Sequence, residues 1–149
     1  MAGSHDIDDR RNYPLFVEAV VRARNRALEV AFNMEWDYVL WLDSDVWTAP
    51  DTLTRMVRYT PREKVITAPA EYRQPGAGSV LDYRDPDGYA HWTGWHCVLV
   101  AREVHEKVGY FDCPRGIIGE DVYYSERMRK AGYKIFIAQD AVVKHRFKP

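Results

Sequence analysis

The sequence lacks the features that mark several large classes of protein. It has only two cysteines, Cys97 and Cys113, and neither belongs to a CxxC or histidine-rich zinc pattern. No window approaches the ~18 consecutive apolar residues of a membrane span, and no signal-peptide pattern opens the chain. Lys and Arg (21) nearly balance Asp and Glu (22), so no overall field recruits nucleic acid or an anionic membrane. We therefore expect a cytoplasmic protein with reduced thiols that holds any anionic ligand through a local cluster of charge.

What is present is the composition of one globular domain. A chain of 149 residues is long enough to build a single buried core. Apolar residues make up 46% and charged residues 29%, which is typical of folded rather than disordered chains. Residues 1–5 (MAGSH) read as a start codon followed by a cloning remnant. We predict a single domain over 1–149, with residues 1–13 as a tag or disordered lead-in.

Helical and strand patterns alternate along the chain. Over residues 14–35, apolar side chains that include Phe16, Val30 and Met34 recur at helical spacing, which predicts an amphipathic helix. Shorter helices are predicted at 50–59, 102–107 and 119–131. Buried strands are predicted at 38–42, 64–68, 96–101, 133–138 and 141–144. This alternation favours an α/β fold.

Residues 69–91 interrupt the alternation. They are rich in Pro and Gly and have little hydrophobic pattern, so we predict a long loop. The loop and the residue after it contain aromatic side chains, and such side chains suit the apolar faces of sugar rings: Tyr72, Tyr83, Tyr89, His91 and Trp92. We predict a mobile loop that closes over a substrate; the alternative is a plain connector.

Two carboxylates stand at the end of the first predicted strand. Asp43 and Asp45, separated by Ser44, directly follow the apolar run 38–42. Like charges this close raise each other's pKa unless a cation lies between them. Oxygen ligands in small number suit Mg²⁺ or Mn²⁺, and ligands collect at the carboxyl ends of strands in open α/β sheets. The alternative is that both residues form a turn or cap the next helix.

Three further charged features have both an ordinary and a functional interpretation. Glu120 and Asp121 begin a predicted helix, where acidic residues favour the macrodipole, but a carboxylate there also suits a general base. His145 follows an apolar segment and is either a surface residue or a third metal ligand beside two carboxylates. Arg24, near the apolar boundary of the first helix, can reach a phosphate at a cleft.

Four motifs follow one another in a fixed order between residues 22 and 145. They are Arg22–Asn25 with Asp37–Val46, Gly94–Val100 with Val108–Asp112, Gly119–Tyr133, and Val142–His145. In this order they resemble the "ARN … LDxD" segment, the acceptor-side strand with its "GxFD" turn, the "GEDxxxxxRxrxaGy" helix and the terminal "vvxH" of GT-A glycosyltransferases, family 2 especially. The ordered set is far more specific than any single motif.

The resemblance implies a fold, a reaction and a set of site residues. The fold is a Rossmann-like, mixed and mainly parallel sheet flanked by helices. The reaction is transfer of a sugar from a UDP- or GDP-linked donor to an acceptor hydroxyl, with inversion, and the strand that contains Trp41 resembles mannosyltransferase branches, which favours GDP-mannose. Mn²⁺ or Mg²⁺ is held by Asp43, Asp45 and His145, and Asp121 is the base with Glu120 beside it. The nucleotide diphosphate lies near Arg24, Asn25 and Asp43-Ser44-Asp45, and the acceptor lies near Trp92, Thr93, Gly94 and Trp95.

The sequence departs from the family at its start. Members open with a strand, a helix and a second strand that form the nucleotide-base pocket, whereas only residues 1–13 precede the matching helix here. We expect a truncated or minimal version whose pocket is completed by a further N-terminal segment or by an oligomer partner. The alternative function is a non-catalytic module that binds metal and nucleotide or a partner chain. A nucleotidyltransferase is less suited, because no Gly-rich phosphate loop is present near the start.

Overall fold

The chain folds as an alternation of four helices and eight strands in the part that the structure, a computed structural model, describes: residues 13–72, 84–114 and 119–145. The helices are α1 (Tyr13–Phe32), α2 (Thr52–Val57), α3 (Arg102–Val108) and α4 (Glu120–Lys130). The strands are β1 (Tyr38–Leu42), β2 (Val46–Trp47), β3 (Val65–Thr67), β4 (Ala70–Tyr72), β5 (Tyr89–Ala90), β6 (Cys97–Ala101), β7 (Ile135–Ile137) and β8 (Val143–His145). In these segments no helix combines the length and the apolar character needed to cross a bilayer.

The strands form two sheets. The larger has five strands in the order β1-β6-β3-β7-β5, and the smaller has three in the order β2-β8-β4. The predicted mixed α/β class with flanking helices is confirmed, but its predicted mainly parallel sheet is corrected, because among the strands that the structure describes only β3–β7 and β4–β8 pair in parallel. The reason is that β6 lies antiparallel between β1 and β3, which run in the same direction.

The interior strand β6 is buried on both faces. Alternate side chains of a strand point to opposite sides of the sheet. Val98 and Val100 accordingly pack in the cluster with Phe111, Tyr124 and Met128. Leu99 and Cys97 pack on the other side in the cluster with Met56 and Ile66. A strand fixed on both faces holds the residue before it, His96, in a defined place at the edge of the sheet.

Helix α1 is amphipathic, but it packs on a different face from the one the sequence pattern suggested. Its buried side chains include Val17 and Leu28, which are 6% and 0% exposed. Phe16, Val30 and Met34 are 66%, 50% and 62% exposed. Two neighbouring apolar stripes run along this segment, and only the stripe with Val17 and Leu28 faces the sheet. The helix also ends at Phe32, before the predicted end at 35.

The segment 69–91 is less irregular than its composition predicted. Its two ends form β4 and β5, which pair with β8 and β7. These short edge strands are held by backbone pairing and need no hydrophobic pattern of their own, which explains why the sequence did not reveal them. Residues 73–83 of the predicted loop and residues 1–12 of the predicted lead-in lie outside the described residues. The mobility of the loop stays a prediction.

Candidate active site

The candidate site lies at one edge of the larger sheet, where β1 ends and β6 begins. Because these strands are antiparallel, the end of one and the start of the other meet at the same edge. The backbone N–H of Asp43 donates to the carbonyl of His96 at 3.0 Å. The chain then turns into β2, where Val46 pairs with His145 of β8. This register brings the last strand next to Asp45, across a hundred residues of sequence.

Asp43, Asp45 and His145 come together in one group. One ligand atom from each lies within 4.8 Å of the others, and His145 Nε2 is 3.7 Å from Asp45 Oδ1. The expected convergence of the three side chains is therefore observed. Of the two ordinary alternatives, a cap of α2 is not observed, since Asp51 occupies the N-cap position of that helix. The turn is observed, because the backbone N–H of Val46 donates to the carbonyl of Asp43 at 3.2 Å.

The electrostatics of this group fit a divalent cation. Burial raises the pKa of Asp43, the guanidinium of Arg24 opposes that shift, and the neighbouring charge of Asp45 adds to it. A cation between the two carboxylates relieves both the desolvation and the repulsion. Two carboxylate oxygens with one imidazole nitrogen form a donor set that Mn²⁺ accepts readily, and Mg²⁺ shares the carboxylate preference.

Arg24 extends from α1 into the space between Asp43 and Glu120. Its side chain is 13% exposed, and its Nη2 lies 3.3 Å from Glu120 Oε1 and 3.9 Å from Asp43 Oδ1. The guanidinium carbon is 5.9 Å and 5.6 Å from the ring centres of Trp95 and Phe111. Nη1 is buried and has no hydrogen-bond partner among the described residues. A buried, positively charged N–H donor without a partner is suited to bind a phosphate oxygen.

The adjacent carboxylates at the start of α4 point to different surroundings. Glu120 is 12% exposed and pairs with Arg24. Asp121 Oδ1 accepts the backbone N–H of Val122 at 2.8 Å, while Oδ2 lies 3.8 Å from the place where a β-carbon on Gly94 would stand. Burial raises the pKa of Asp121, and the hydrogen bond from Val122 and the charge of Arg24 oppose that shift. A carboxylate with a raised pKa suits proton transfer.

The four residues predicted to contact an acceptor separate into two pairs. Trp92 and Gly94 are partly exposed. Thr93 and Trp95 are 0% and 2% exposed, so the structure gives them a packing role instead. The Thr93 backbone N–H donates to Ser125 Oγ at 3.1 Å, and the Trp95 ring lies 4.9 Å from that of Phe111. Alternation along the chain explains the split, because every second residue of this segment faces the core.

Asn25 and Ser44, both predicted to lie near the nucleotide, have different surroundings. Asn25 donates from its amide nitrogen to the carbonyl of Phe111 at 2.9 Å and accepts the N–H of Phe111 at 2.7 Å. Its amide therefore fastens the segment around Phe111 to α1, and its place near the nucleotide stays a prediction. Ser44 is exposed between the two aspartates, where its hydroxyl is open to a ligand.

His96 is a site residue that the motif pattern did not identify. It is 4% exposed, and its Nε2 lies 2.7 Å from the carbonyl of Ala68. Its Nδ1 lies 3.1 Å from the place where a β-carbon on Gly94 would stand. Burial lowers the pKa of the ring, the hydrogen bond to Ala68 raises it, and the neighbouring His145 lowers it further. The signal that could have identified His96 is its position at the start of a strand, because that strand lies antiparallel to the strand that ends next to Asp43.

Comparison with known proteins points to one family and one fold. The family model described as glycosyl transferase family 2 matches residues 18–138. No curated protein matches the sequence significantly. The crystal structure of A197 from STIV aligns over 87% of this chain and 68% of its own, with a TM-score of 0.57 and 20% identity.

A second solved structure is similar to the same degree. The mannosyltransferase PcManGT from Pyrobaculum calidifontis, solved in complex with GDP-Man and Mn²⁺, aligns over 84% of this chain with a TM-score of 0.60 and 20% identity. The alignment covers 35% of the mannosyltransferase, so the chain spans about a third of its length. At this identity both likenesses show a shared GT-A fold.

Proposed function

The chain belongs to glycosyltransferase family 2, and on that premise we propose that it takes part in metal-dependent transfer of a sugar from a nucleoside-diphosphate sugar to an acceptor hydroxyl, with inversion. The observation that supports this best is the Asp43, Asp45 and His145 group, whose ligand atoms lie within 4.8 Å of one another. A partly exposed cluster of two carboxylates and an imidazole at a strand end contributes little to packing. It does suit the cation that accompanies a diphosphate.

We infer that the diphosphate lies between this group and Arg24. Mn²⁺ or Mg²⁺ bound by Asp43, Asp45 and His145 supplies charge neutralisation on the departing nucleoside diphosphate. Arg24 Nη1, buried and without a partner among the described residues, donates to a phosphate oxygen. The pairing of Arg24 with Glu120 and Asp43 holds the guanidinium in place for that contact.

The acceptor side is formed by Asp121 and Gly94. Asp121, whose Oδ2 lies next to Gly94, takes the proton of the acceptor hydroxyl. Glu120 acts through Arg24 and not on the acceptor, because its carboxylate is already paired. The proposed donor is a GDP-linked sugar, with GDP-mannose as the first candidate and a UDP-linked sugar as the second. Its support is the GT-A likeness to a mannosyltransferase solved with GDP-Man and Mn²⁺.

On the outer side of β1, the described residues form no wall against which a nucleotide base could pack. That strand pairs with β6 on one side, and it stands at the end of the strand order in the part of the sheet described. We propose that a further N-terminal segment or a second polypeptide pairs there and completes the pocket. The open edge also favours the second candidate function, a non-catalytic module that binds metal and nucleotide.

The donor site is tested by removing one metal ligand. Asp45→Ala is expected to abolish Mn²⁺-dependent binding of GDP and UDP in calorimetry while leaving the circular dichroism spectrum unchanged, since Asp45 contributes repulsion and no packing. Asp51→Ala is the matched control, because Asp51 is also a partly exposed carboxylate but pairs with Arg55 at 2.7 Å, on α2. Undiminished nucleotide binding by Asp45→Ala would refute the donor site. If the wild-type chain transfers sugar and Asp121→Asn does not, the non-catalytic module is excluded.

A further inference from the structure

The guanidinium of Arg24 lies in a corner between two aromatic rings. Its central carbon is 5.9 Å from the ring centre of Trp95 and 5.6 Å from that of Phe111. The two rings stand nearly perpendicular, with their centres 4.9 Å apart and an interplanar angle of 81°, and both side chains are 2% exposed. A cation beside the faces of buried rings is attracted by their quadrupoles. The corner therefore restricts the guanidinium independently of its ion pairs.

The edges of the guanidinium remain for polar partners. All five N–H donors of the group lie in its plane. Nη2 lies 3.3 Å from Glu120 Oε1 and 3.9 Å from Asp43 Oδ1, while Nη1 is buried and has no hydrogen-bond partner among the described residues. A guanidinium that is fixed before a ligand arrives binds it more tightly, because a long side chain need not be ordered on binding.

Phe111, one wall of the corner, is held from two sides. From α1, the Asn25 amide nitrogen donates to the carbonyl of Phe111 at 2.9 Å, and its oxygen accepts the N–H of Phe111 at 2.7 Å. From α4, the ring of Tyr124 stacks on that of Phe111, with centres 4.2 Å apart and an interplanar angle of 21°. The hydroxyl of Tyr124 donates to the carbonyl of Gly109 at 2.8 Å. Asn25 thus fixes the backbone of Phe111, and Tyr124 fixes its ring.

Arg24 and Asn25 contact the same residue from successive positions of α1. Their side chains diverge by about 100° around the helix. One therefore reaches the ring of Phe111 and the other its backbone. A change at Asn25 that lets Phe111 move also removes one wall beside the guanidinium of Arg24.

We propose that Asn25 is a positioning residue for the donor, and that it acts through Phe111 to hold Arg24 where Nη1 meets a phosphate oxygen of the nucleoside diphosphate. The inference rests on the proposed function, in which Arg24 binds that diphosphate. Asn25 then contributes to donor affinity indirectly, and its contribution exists only while the Arg24 guanidinium is present.

A double-mutant cycle on the affinity for GDP, measured by calorimetry with Mn²⁺, tests this dependence. Arg24→Met keeps most of the apolar length of the side chain and removes the guanidinium, so GDP is expected to bind roughly thirtyfold more weakly. Asn25→Ala is expected to weaken GDP binding about fivefold. Effects of two residues that act through one contact do not add. The double variant is therefore expected to bind GDP no more weakly than Arg24→Met alone.

Two further variants guard against loss of the fold as the cause. Phe111→Leu removes the ring, and it carries the same cycle with Arg24→Met if Asn25→Ala does not fold. Asn33→Ala is the matched control, because Asn33 also bonds a backbone carbonyl, that of Glu29 at 3.0 Å, but does so within α1 and its end. Its GDP affinity is expected to equal that of wild type. The affinity for Mn²⁺ alone is expected not to fall in any of these variants, since none changes a proposed metal ligand.

The outcomes that overturn the inference differ from the one that overturns the proposed function. A fivefold loss from Asn25→Ala that persists beside Arg24→Met shows that Asn25 acts on the nucleotide directly. Unchanged GDP affinity in Asn25→Ala, with a lower melting temperature, shows a structural role only. In both cases wild type binds GDP and the donor site stands. A wild-type chain that binds no GDP with Mn²⁺ refutes the proposed function, and the inference with it.

Discussion

At the scale of single residues, the two neighbouring carboxylates of α4 provide the sharpest test of the chemistry. Glu120 is paired with Arg24 at 3.3 Å, whereas Asp121 Oδ2 lies next to Gly94. We expect Asp121→Asn to keep near-normal affinity for metal and nucleotide and to lose ~10²–10⁴ in turnover, the typical effect of removing a general base. Glu120→Gln is expected to have a milder effect, felt mainly in donor affinity, because it frees Arg24.

The measurement is steady-state kinetics of both variants with a donor and an acceptor that the wild-type chain uses, alongside calorimetry with GDP and Mn²⁺. The two isosteric amides serve as controls for each other, since each removes one charge from the same helix turn. Full activity in Asp121→Asn, or a larger loss of turnover in Glu120→Gln, would contradict the assignment of the base.

Residue identities at the site were predictable only where a motif marked them. The Asp43-Ser44-Asp45 motif and His145 were found from the sequence, and the structure brings the aspartates and the histidine together. The role of Asn25 was not found from the sequence, because its hydrogen bonds to Phe111 join residues 86 positions apart. His96 was missed for a related reason: nothing in the local sequence shows that the chain at Ala68 and Gly94 surrounds it.

At the scale of elements, a hydrogen-bonded chain joins β1, α3 and α4 inside the core. Trp41 Nε1 donates to His105 Nε2 at 3.0 Å, so His105 Nδ1 carries the hydrogen and donates to the hydroxyl of Tyr124 at 2.7 Å. Tyr124 in turn donates to the carbonyl of Gly109 at 2.8 Å. His105 is 0% exposed, and burial lowers its pKa from 6.5 to about 4. The neutral ring is therefore part of the folded core.

This network predicts a loss of stability in mild acid. Above pH 6.5 the ring is neutral in both the folded and the unfolded chain, so its contribution is constant. Between pH 6.5 and about 4 the unfolded chain binds a proton that the folded chain does not, and the free energy of unfolding falls by about 3 kcal/mol across that window. Below it both states are protonated and the contribution is flat.

Urea unfolding between pH 4 and 7 measures the effect, and His105→Gln is the control, since it removes this titrating group and should make that part of the curve less steep, leaving the contribution of His96, whose pKa burial also lowers. If that variant does not fold, the imidazole resonances of wild type give the answer directly. A His105 ring that titrates near its ordinary value of 6.5 would show that the network does not hold the neutral form.

The sequence predicted the long elements well and the short ones poorly. The predicted strand at 38–42 coincides with β1, and the helix predicted at 119–131 contains α4, because each has a clear hydrophobic period and recognisable ends. The two- and three-residue strands β2, β4 and β5 were not predicted, since two residues show no period at all. The mainly parallel sheet was wrong because the direction of β6 depends on which strands it separates, and that is a property of the whole sheet.

At the scale of the whole molecule, apolar side chains are exposed on the outer face of α1 and just after its end. Phe16 and Val30 on α1, and Met34 two residues after it, are half exposed or more. Leu42, at the end of β1, is 48% exposed. Val21, on the opposite face of α1 from Val30, packs against the core cluster. The exposed apolar face of α1 is therefore turned away from that core, and an exposed apolar helix face is the kind of surface that associates with another chain.

We therefore expect the 149-residue chain to self-associate through this surface. Val30→Glu with Met34→Glu places two charges on the exposed stripe and is expected to shift the chain towards monomer without loss of melting temperature, because neither side chain is buried in the folded chain. Leu53→Glu with Val57→Glu is the matched control, since both residues are 47% exposed, one turn apart, on α2. Sedimentation equilibrium over a range of concentrations distinguishes the three proteins. The control is expected to associate as wild type does. A wild-type chain that is monomeric at every concentration would contradict the prediction. A control that dissociates as much as Val30→Glu with Met34→Glu would show that this surface is not the one that associates.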